Sequence, residues 1–575
     1  YGDFPVVEWT AYLANEGQTR SGLVSDLRAV DVALTGANGL GWPLCHNTGS
    51  ICEQRDFEPL RTPLGANASA HLAAAGGRGS DGSWPYFNLL SDAGRGVIAA
   101  VGWPGQWSAD FAVDTAGRLT LRAGQEQTHF RLEPGETART PAMALLWHDG
   151  REVASQNLWR RYMNAHVVPR VAEGKLPPPQ HAACSSHQYG EMIHADEASQ
   201  ITFIDGYQDH GLDLDYWWMD AGWYPCRDWA DGAGNWEPDP ERFPRGLREV
   251  TDHVRAGGTK AIVWFEPERV APGTWIDQHH PERLLGQAGS TRLLNLGQSE
   301  ARTWLTDHID AMITEQGIDL YRQDFNIDPL GFWQSRDTPD RQGITENLYV
   351  QGYLAYWDEL LRRHPGLIID SCASGGRRND LETLRRAVPL LRSDYQSFAG
   401  DAAYAIGNQG HTYGLSSWIP YYGQGVYVSA DHMVYAMRSY LSPAFGIAVD
   451  PRRTDVDWDQ YRKLVADWRA MAPAYLGDFY PLMPYNLDEQ AWTAWQFDLP
   501  EQGRGLVQAF RRSDSDILAC ALRLHGLDAA AEYRVRSLDG GPEMIYRGSV
   551  LAEQGLRVDI GGRPEAAALV YERVR

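Results

Sequence analysis

The sequence predicts a parallel (β/α)8 barrel set between two all-β segments, and three observations carry that expectation. From residue 180 to 478, apolar runs of strand length alternate with helix-length amphipathic segments, the pattern of parallel βα units. Eight such units over roughly 300 residues fit a closed barrel better than an open sheet. The flanks show short alternating strands broken by Gly, Asp and Asn turns. At 575 residues the chain is too long for one ordinary domain.

Taken in order, residues 1–150 read as an N-terminal β-sandwich, with Gly96–Val101 and Arg118–Arg122 among its strands and 102–107 as a tight aromatic turn. A helical connector follows over 151–179. It carries Leu158, Tyr162 and Met163 on one stripe and ends at the stiff run Pro177-Pro178-Pro179. The barrel then occupies 180–478. Its expected strands are Ala182–Ser185, Leu214–Met219, Ala261–Phe265, Leu320–Gln323, Leu367–Asp370, Pro389–Arg392, Trp418–Tyr421 and Phe445–Ala448. Helices are expected between them, including Ala301–Gln316 and Leu348–Arg363. Residues 479–575 return to short strands (Val507–Phe510, Ile517–Leu522, Ala568–Tyr571) and read as a C-terminal β-sandwich.

Composition narrows the partners. A net charge of −23 repels phosphate backbones and anionic lipid heads, which argues against nucleic acid and membrane binding. No apolar run approaches the ~20 residues of a membrane span. The chain therefore reads as soluble, with cytoplasm and secretion both open. It starts at Tyr1 rather than Met, which leaves removal of some N-terminal segment open, and Asn67-Ala68-Ser69 is a lone glycosylation sequon. Six cysteines make no dense disulfide framework; Cys45 and Cys52 form the only close pair. The 22 Trp and 27 Tyr stand out, because aromatic faces suit the apolar faces of pyranose rings as well as protein cores.

In a barrel of this kind the site gathers where the strands end. The second strand runs into Asp220-Ala221-Gly222-Trp223, the third into Trp264-Phe265-Glu266-Pro267-Glu268, and the fourth into Arg322-Gln323-Asp324. The fifth runs into Asp370–Arg377, with Cys372 and Gly375 in its loop, and the sixth into Arg392-Ser393-Asp394. A lone strand-end Asp is often a helix N-cap, but no helix pattern follows Asp324 or Asp394 directly. Glu266 and Glu268 read equally as partners of Arg269 or Lys260, and Trp264 as barrel packing. Two carboxylates facing one pocket are the equipment for cleaving a glycosidic bond. His279-His280 lack companion metal ligands, and no serine sits in a nucleophile elbow.

These strand ends resemble glycoside hydrolase family 36, the retaining α-galactosidases of clan D. The family's K-W-D-M-N strand matches Tyr321–Asn326, its C-x-S-G-G-x-R loop matches Cys372–Arg378, and its W-T-S-D segment matches Leu391–Asp394. Its D-D-G-W and W-x-x-P-E motifs match Asp220–Trp223 and Trp264–Glu268. The resemblance implies that Asp324 is the nucleophile and Asp394 the acid/base. It also places Asp220, Trp223, Trp264, Glu266, Arg322, Cys372, Gly375 and Arg392 around the sugar, with Trp223 and Trp264 as apolar walls.

The implied activity is retaining, exo-acting removal of a terminal α-galactose-type sugar from an oligosaccharide or glycoconjugate. No metal or organic cofactor is expected, because two carboxylates complete the reaction. Relatives often oligomerise, so a homo-oligomer is a further expectation.

Two positions depart from the family. Its second Asp is Ala221, and the Lys before its nucleophile is Arg322. Both lie on the O4/O6 side of the sugar in the family, so a lost acceptor there calls for compensation, with Asp328 or Glu346 as candidates. The alternative substrates are α-galactosaminides or α-N-acetylgalactosaminides, and an inactive sugar-binding protein on the same scaffold is the competing class. Cys45-His46-Asn47 is a candidate for leaning over the pocket.

Overall fold

The computed structural model describes residues 1–35, 41–91, 95–396, 402–426 and 433–574. The centre of the molecule is an eight-stranded parallel sheet. Its strands are β1 (Gln180–Cys184), β2 (Tyr216–Met219), β3 (Lys260–Phe265), β4 (Leu320–Gln323), β5 (Ile368–Ser371), β6 (Ala387–Val388), β7 (Gly423–Val426) and β8 (Ala444–Ile447). They lie in the order β6-β5-β4-β3-β2-β1-β8-β7. The ends of the sheet meet through Gly423 N–H to Pro389 O at 2.7 Å and Arg392 N–H to Gly423 O at 3.0 Å, which closes the barrel.

Period-two alternation decides what each strand sends inward. Ala182, Tyr216, Ile262, Leu320, Ile368, Val388 and Ala444 meet in one apolar cluster that fills the floor of the barrel. Two residues further along several of these strands stand Cys184, Trp218, Trp264 and Arg322, which line the cavity above that floor. Tyr321 and Gln323 of β4 face the other way. They hydrogen-bond to each other and to Tyr356 and Trp357 of the covering helix Ile344–Arg363.

The seventh strand differs from its expected position. Trp418–Tyr421 follows the helix Ala402–Ser416 as a short connection, and the strand begins only at Gly423. Trp418 and Ile419 pack against Trp84, Tyr86 and Trp159 of the N-terminal portion, so their apolar character serves a core outside the barrel.

The N-terminal portion stacks a six-stranded antiparallel sheet on a four-stranded one, sharing Phe87, Val97, Trp107, Phe111 and Leu121 in one core. It grips the barrel through the Ile344–Arg363 helix. Buried Glu346 accepts from Trp103 Nε1 (2.7 Å) and Gln106 N–H (2.8 Å), and Asn347 Nδ2 donates to Gln125 and to the Arg139 carbonyl. The helix Glu152–Tyr162 leads toward the barrel, and Arg160 caps carbonyls of Ser416, Ile419, Tyr475 and Gly477. Beyond the barrel, a six-stranded antiparallel sheet and a two-stranded one enclose a separate core around Trp492, Val507, Tyr533 and Val558. Among the described residues, no helix is long and apolar enough to cross a membrane.

Candidate active site

The strand ends surround a cavity of about 320 Å³ lined by Asp220, Trp264, Arg322, Asp324 and Asp394 among the residues singled out from sequence. Asp324 follows β4 and continues its inward register from Leu320 and Arg322. Both its oxygens are occupied. Oδ1 accepts the backbone N–H groups of Phe325 (2.7 Å) and Ser374 (3.1 Å), and Oδ2 accepts Asn326 Nδ2 (2.8 Å) and Trp264 Nε1 (3.2 Å). Burial alone would push this carboxyl upward. The Arg322 charge, with hydrogen bonds from Asn326, Cys372 and the Phe325 N–H, outweighs it and holds Asp324 below the usual carboxylate range.

Asp394 behaves in the opposite sense. Its protein surroundings and the Asp324 charge push it up to about 7, against the lowering effect of Arg322 and Arg377. The side chain is open to cavity water, so its desolvation is completed only when a ligand displaces that water. At neutral pH Asp324 is thus ionised while Asp394 is about half protonated, and divided roles of this kind are what general acid and nucleophile require. Burial raises Asp220 and Asp370 as well, each opposed by Arg322.

Arg322 organises this part of the cavity. Its guanidinium pairs with fully buried Asp370, lies 3.7 Å from Asp220 Oδ2, reaches Cys372 Sγ at 3.3 Å and stacks 4.4 Å over the Trp218 ring. Asp220 also accepts Trp218 Nε1 (2.7 Å) and the Ala221 N–H (2.8 Å).

Other expected contacts sit behind the wall. Trp223 is fully buried and donates Nε1 to the Trp264 carbonyl, so it backs Trp264 instead of facing the cavity. Glu266 is enclosed too. It takes Arg269 Nε (2.9 Å) and accepts the Asn326 N–H, which steadies Asn326 against Asp324. Glu268 pairs with Arg378. Arg392 points outward to Thr412 and Asn408. Cys372 is buried beside Arg322 and Gly375.

Gly375, at φ 77°, bridges to Ser393. A Cβ there would stand 2.6 Å from Asp394 N and 2.7 Å from Ser393 Cα. Its part in the site is to let the two loops touch.

The N-terminal portion reaches the site through another segment than Cys45–Asn47. His46 binds Thr62, and Asn47 binds the Phe57 carbonyl and Trp418, all within their own core. Asp56 instead accepts Ser393 Oγ at 2.6 Å beside Asp394, and Cys52 Sγ lies 3.1 Å from the Ser374 carbonyl. Cys45 and Cys52 are free thiols.

The two candidate compensators for Ala221 also lie outside the cavity. Glu346 is consumed at the helix contact described above, and Asp328 accepts Arg78 Nη2 at 2.6 Å. A carboxylate that the sequence did not signal lines the cavity instead: Glu191, after β1. Trp218, Trp229, Asn326 and Gln396 complete the polar and aromatic lining. Trp218 was within reach of the period-two rule, sitting two residues before Asp220. Glu191 and Trp229 lie on loops, where no periodicity marks a direction.

Known proteins align with this arrangement along most of the chain. The Melibiase family profile matches residues 191–441, and the profile of the glycosyl hydrolase family 36 C-terminal domain matches 492–570. The α-galactosidase AgaA of Geobacillus stearothermophilus is 24% identical over 96% of this chain and 76% of its own length. Alpha-galactosidase 1 of Pediococcus pentosaceus is 23% identical over 78% of this chain and 62% of its own. The chain thus spans only about three-fifths of the second relative.

The crystal structure of AgaA in complex with stachyose superimposes with a TM-score of 0.85 at 19% identity, covering 100% of this chain and 80% of that one. The α-galactosidase from Lactobacillus brevis gives a TM-score of 0.85 at 20% identity, covering 99% of this chain and 78% of that one. These structural likenesses establish the shared fold.

Proposed function

The chain belongs to glycoside hydrolase family 36, and on that premise we propose that it is a retaining, exo-acting α-glycosidase that removes terminal α-linked galactose by double displacement. One observation carries the reading: Asp324 and Asp394 line the same cavity, where their surroundings hold Asp324 low and push Asp394 up to about 7. In the first step an ionised Asp324 oxygen attacks the anomeric carbon while Asp394 gives its proton to the departing glycosidic oxygen. In the second, Asp394 takes a proton from water, whose oxygen displaces Asp324 from the same carbon. Two inversions leave the α configuration intact, and this chemistry needs the carboxyl groups about 5–5.5 Å apart.

The exo mode is proposed with it, for a cavity of about 320 Å³ that the apolar floor closes from below. Stachyose, bound in the crystal structure of the Geobacillus relative, supports galactosylated oligosaccharides as the substrate class. Trp264 serves twice, as an apolar face for the ring and as a donor to Asp324.

The test compares initial rates on nitrophenyl α-glycosides of galactose, galactosamine, N-acetylgalactosamine and glucose, with proton NMR of the first anomer released. Galactose preference with α-galactose appearing first is expected, together with loss of turnover in Asp324→Asn. A β first product, or an active Asp324→Asn variant, refutes the mechanism. Preference for an amino sugar redirects the specificity.

A further inference from the structure

This inference rests on the galactosidase reading and concerns how the far edge of the sugar is held. The family resemblance implies that the C4–C6 edge of the sugar lies at the exit of β2, and β1 and β8 follow β2 along the sheet, across the barrel from Asp324 after β4 and Asp394 after β6. On that wall Ala183, Ala221, Gly446, Ile447 and Ala448 offer no polar side chain. We propose that Glu191 is a specificity-determining residue that hydrogen-bonds the C4–C6 edge of the bound sugar, sharing that edge with Asp220 and Arg322 where Ala221 has nothing to offer.

The placement of Glu191 is fixed by its backbone. Gly190 (φ 58°) and Glu191 (φ 61°) are successive left-handed residues, a conformation that a non-glycine side chain holds only where its surroundings impose it. Those surroundings are specific. The Glu191 N–H donates to Ser186 O at 2.9 Å, and the Met192 N–H donates to the carbonyl of Ala221 itself at 2.7 Å. Arg242 then ties the two loops together, giving one nitrogen to the Met192 and Ala195 carbonyls and the other to those of Gly222 and Tyr224. Gly222, at φ 99°, leaves room for only 3.0 Å between an added Cβ and Ile193 N.

The turn carrying Glu191 is therefore built onto the exit of β2, one residue from the position that lacks a carboxylate. Burial and the charge of Asp220 push Glu191 up to about 8. A carboxyl that keeps its proton at neutral pH donates as well as accepts, which suits a hydroxyl in either orientation.

The experiment uses Glu191→Asn, because Asn tolerates a left-handed backbone yet is too short to reach the ring. Glu191→Gln serves as the second variant, each checked by thermal melting. Rates are measured on nitrophenyl α-D-galactopyranoside, its 4-deoxy analogue, the 6-deoxy α-D-fucopyranoside and the β-L-arabinopyranoside that lacks C6. Binding of free galactose is followed by calorimetry.

In Glu191→Asn, kcat/KM for the galactoside should fall about 10- to 100-fold, as expected for losing a hydrogen bond in a desolvated pocket. The loss should shrink to about threefold or less for the analogue missing the contacted hydroxyl. Free galactose should bind correspondingly more weakly, and adding Ala221→Asp should recover part of the loss. If Glu191→Asn does not fold, the galactoside-to-deoxy ratio in Glu191→Gln decides the question. Equal losses on all four substrates, or unchanged galactose affinity, overturn the proposal. A wild-type protein that turns over none of them, yet binds galactose in a Glu191-dependent way, refutes the galactosidase reading and upholds this contact.

Discussion

Replacing Asn326 with Ala tests the proposed division of labour most directly. Its Nδ2 donates to Asp324 Oδ2 at 2.8 Å, and its Oδ1 accepts Ser374 Oγ at 2.8 Å. Of the two side-chain nitrogens that donate to Asp324 Oδ2 it is the nearer, Trp264 Nε1 standing at 3.2 Å. A hydrogen bond to a charged group contributes about 1.5–3 kcal/mol. Part of that returns when cavity water fills the vacated space, which leaves about 1.4 kcal/mol, the equivalent of about one pH unit in the titration of Asp324.

The sign follows from the required protonation state. Activity needs ionised Asp324, whose native affinity for protons is held low, so weakening its support moves the acid limb of kcat/KM upward by about one unit. The alkaline limb belongs to Asp394 near 7 and has no contact with Asn326 among the described hydrogen bonds, so it stays in place. The assay is kcat/KM on a nitrophenyl α-galactoside from pH 3 to 9, with melting curves at each pH. The reasoning is refuted if the acid limb does not move, or if both limbs move together.

Three more outcomes follow from the same geometry. Asp394→Asn should cripple substrates with poor leaving groups while sparing activated ones. Because the folded state raises Asp394, its ionisation costs stability as pH climbs from about 4 through about 7; the variant's gain in Tm should therefore be larger at pH 8 than at pH 5, and an equal gain at both contradicts the assignment. Gly375→Ala drives a Cβ to 2.6 Å from Asp394 N, and a displacement of ~1 Å at a reacting group costs on the order of 100-fold in kcat; near-native turnover argues against the close packing of these loops. Arg322→Gln strands the fully buried Asp370 carboxylate, and urea denaturation should show a loss of about 3–5 kcal/mol, a value under about 1 kcal/mol disproving the pairing.

What the sequence determined by itself is whatever local periodicity encodes. Strands such as Leu320–Gln323 announce themselves because alternation and strand-terminal carboxylates are properties of consecutive residues. The inward placement of Arg322 and Asp324 follows from their spacing of two. Strand seven is expected at Trp418–Tyr421 because an apolar run looks the same whether it fills a barrel or the neighbouring core, and Trp418 and Ile419 fill the neighbouring core.

Only the tertiary structure decided which strand-end groups face the cavity. Trp223, Glu266 and Arg392 read like Trp264 and Arg322 along the chain, yet each is turned into a buried contact behind the wall. Glu191 shows the converse. It lies in a left-handed turn that Arg242 and the Ala221 carbonyl hold in place from about 30 to 50 residues away in sequence, and contacts at that separation leave no pattern in a single chain for a reader to find.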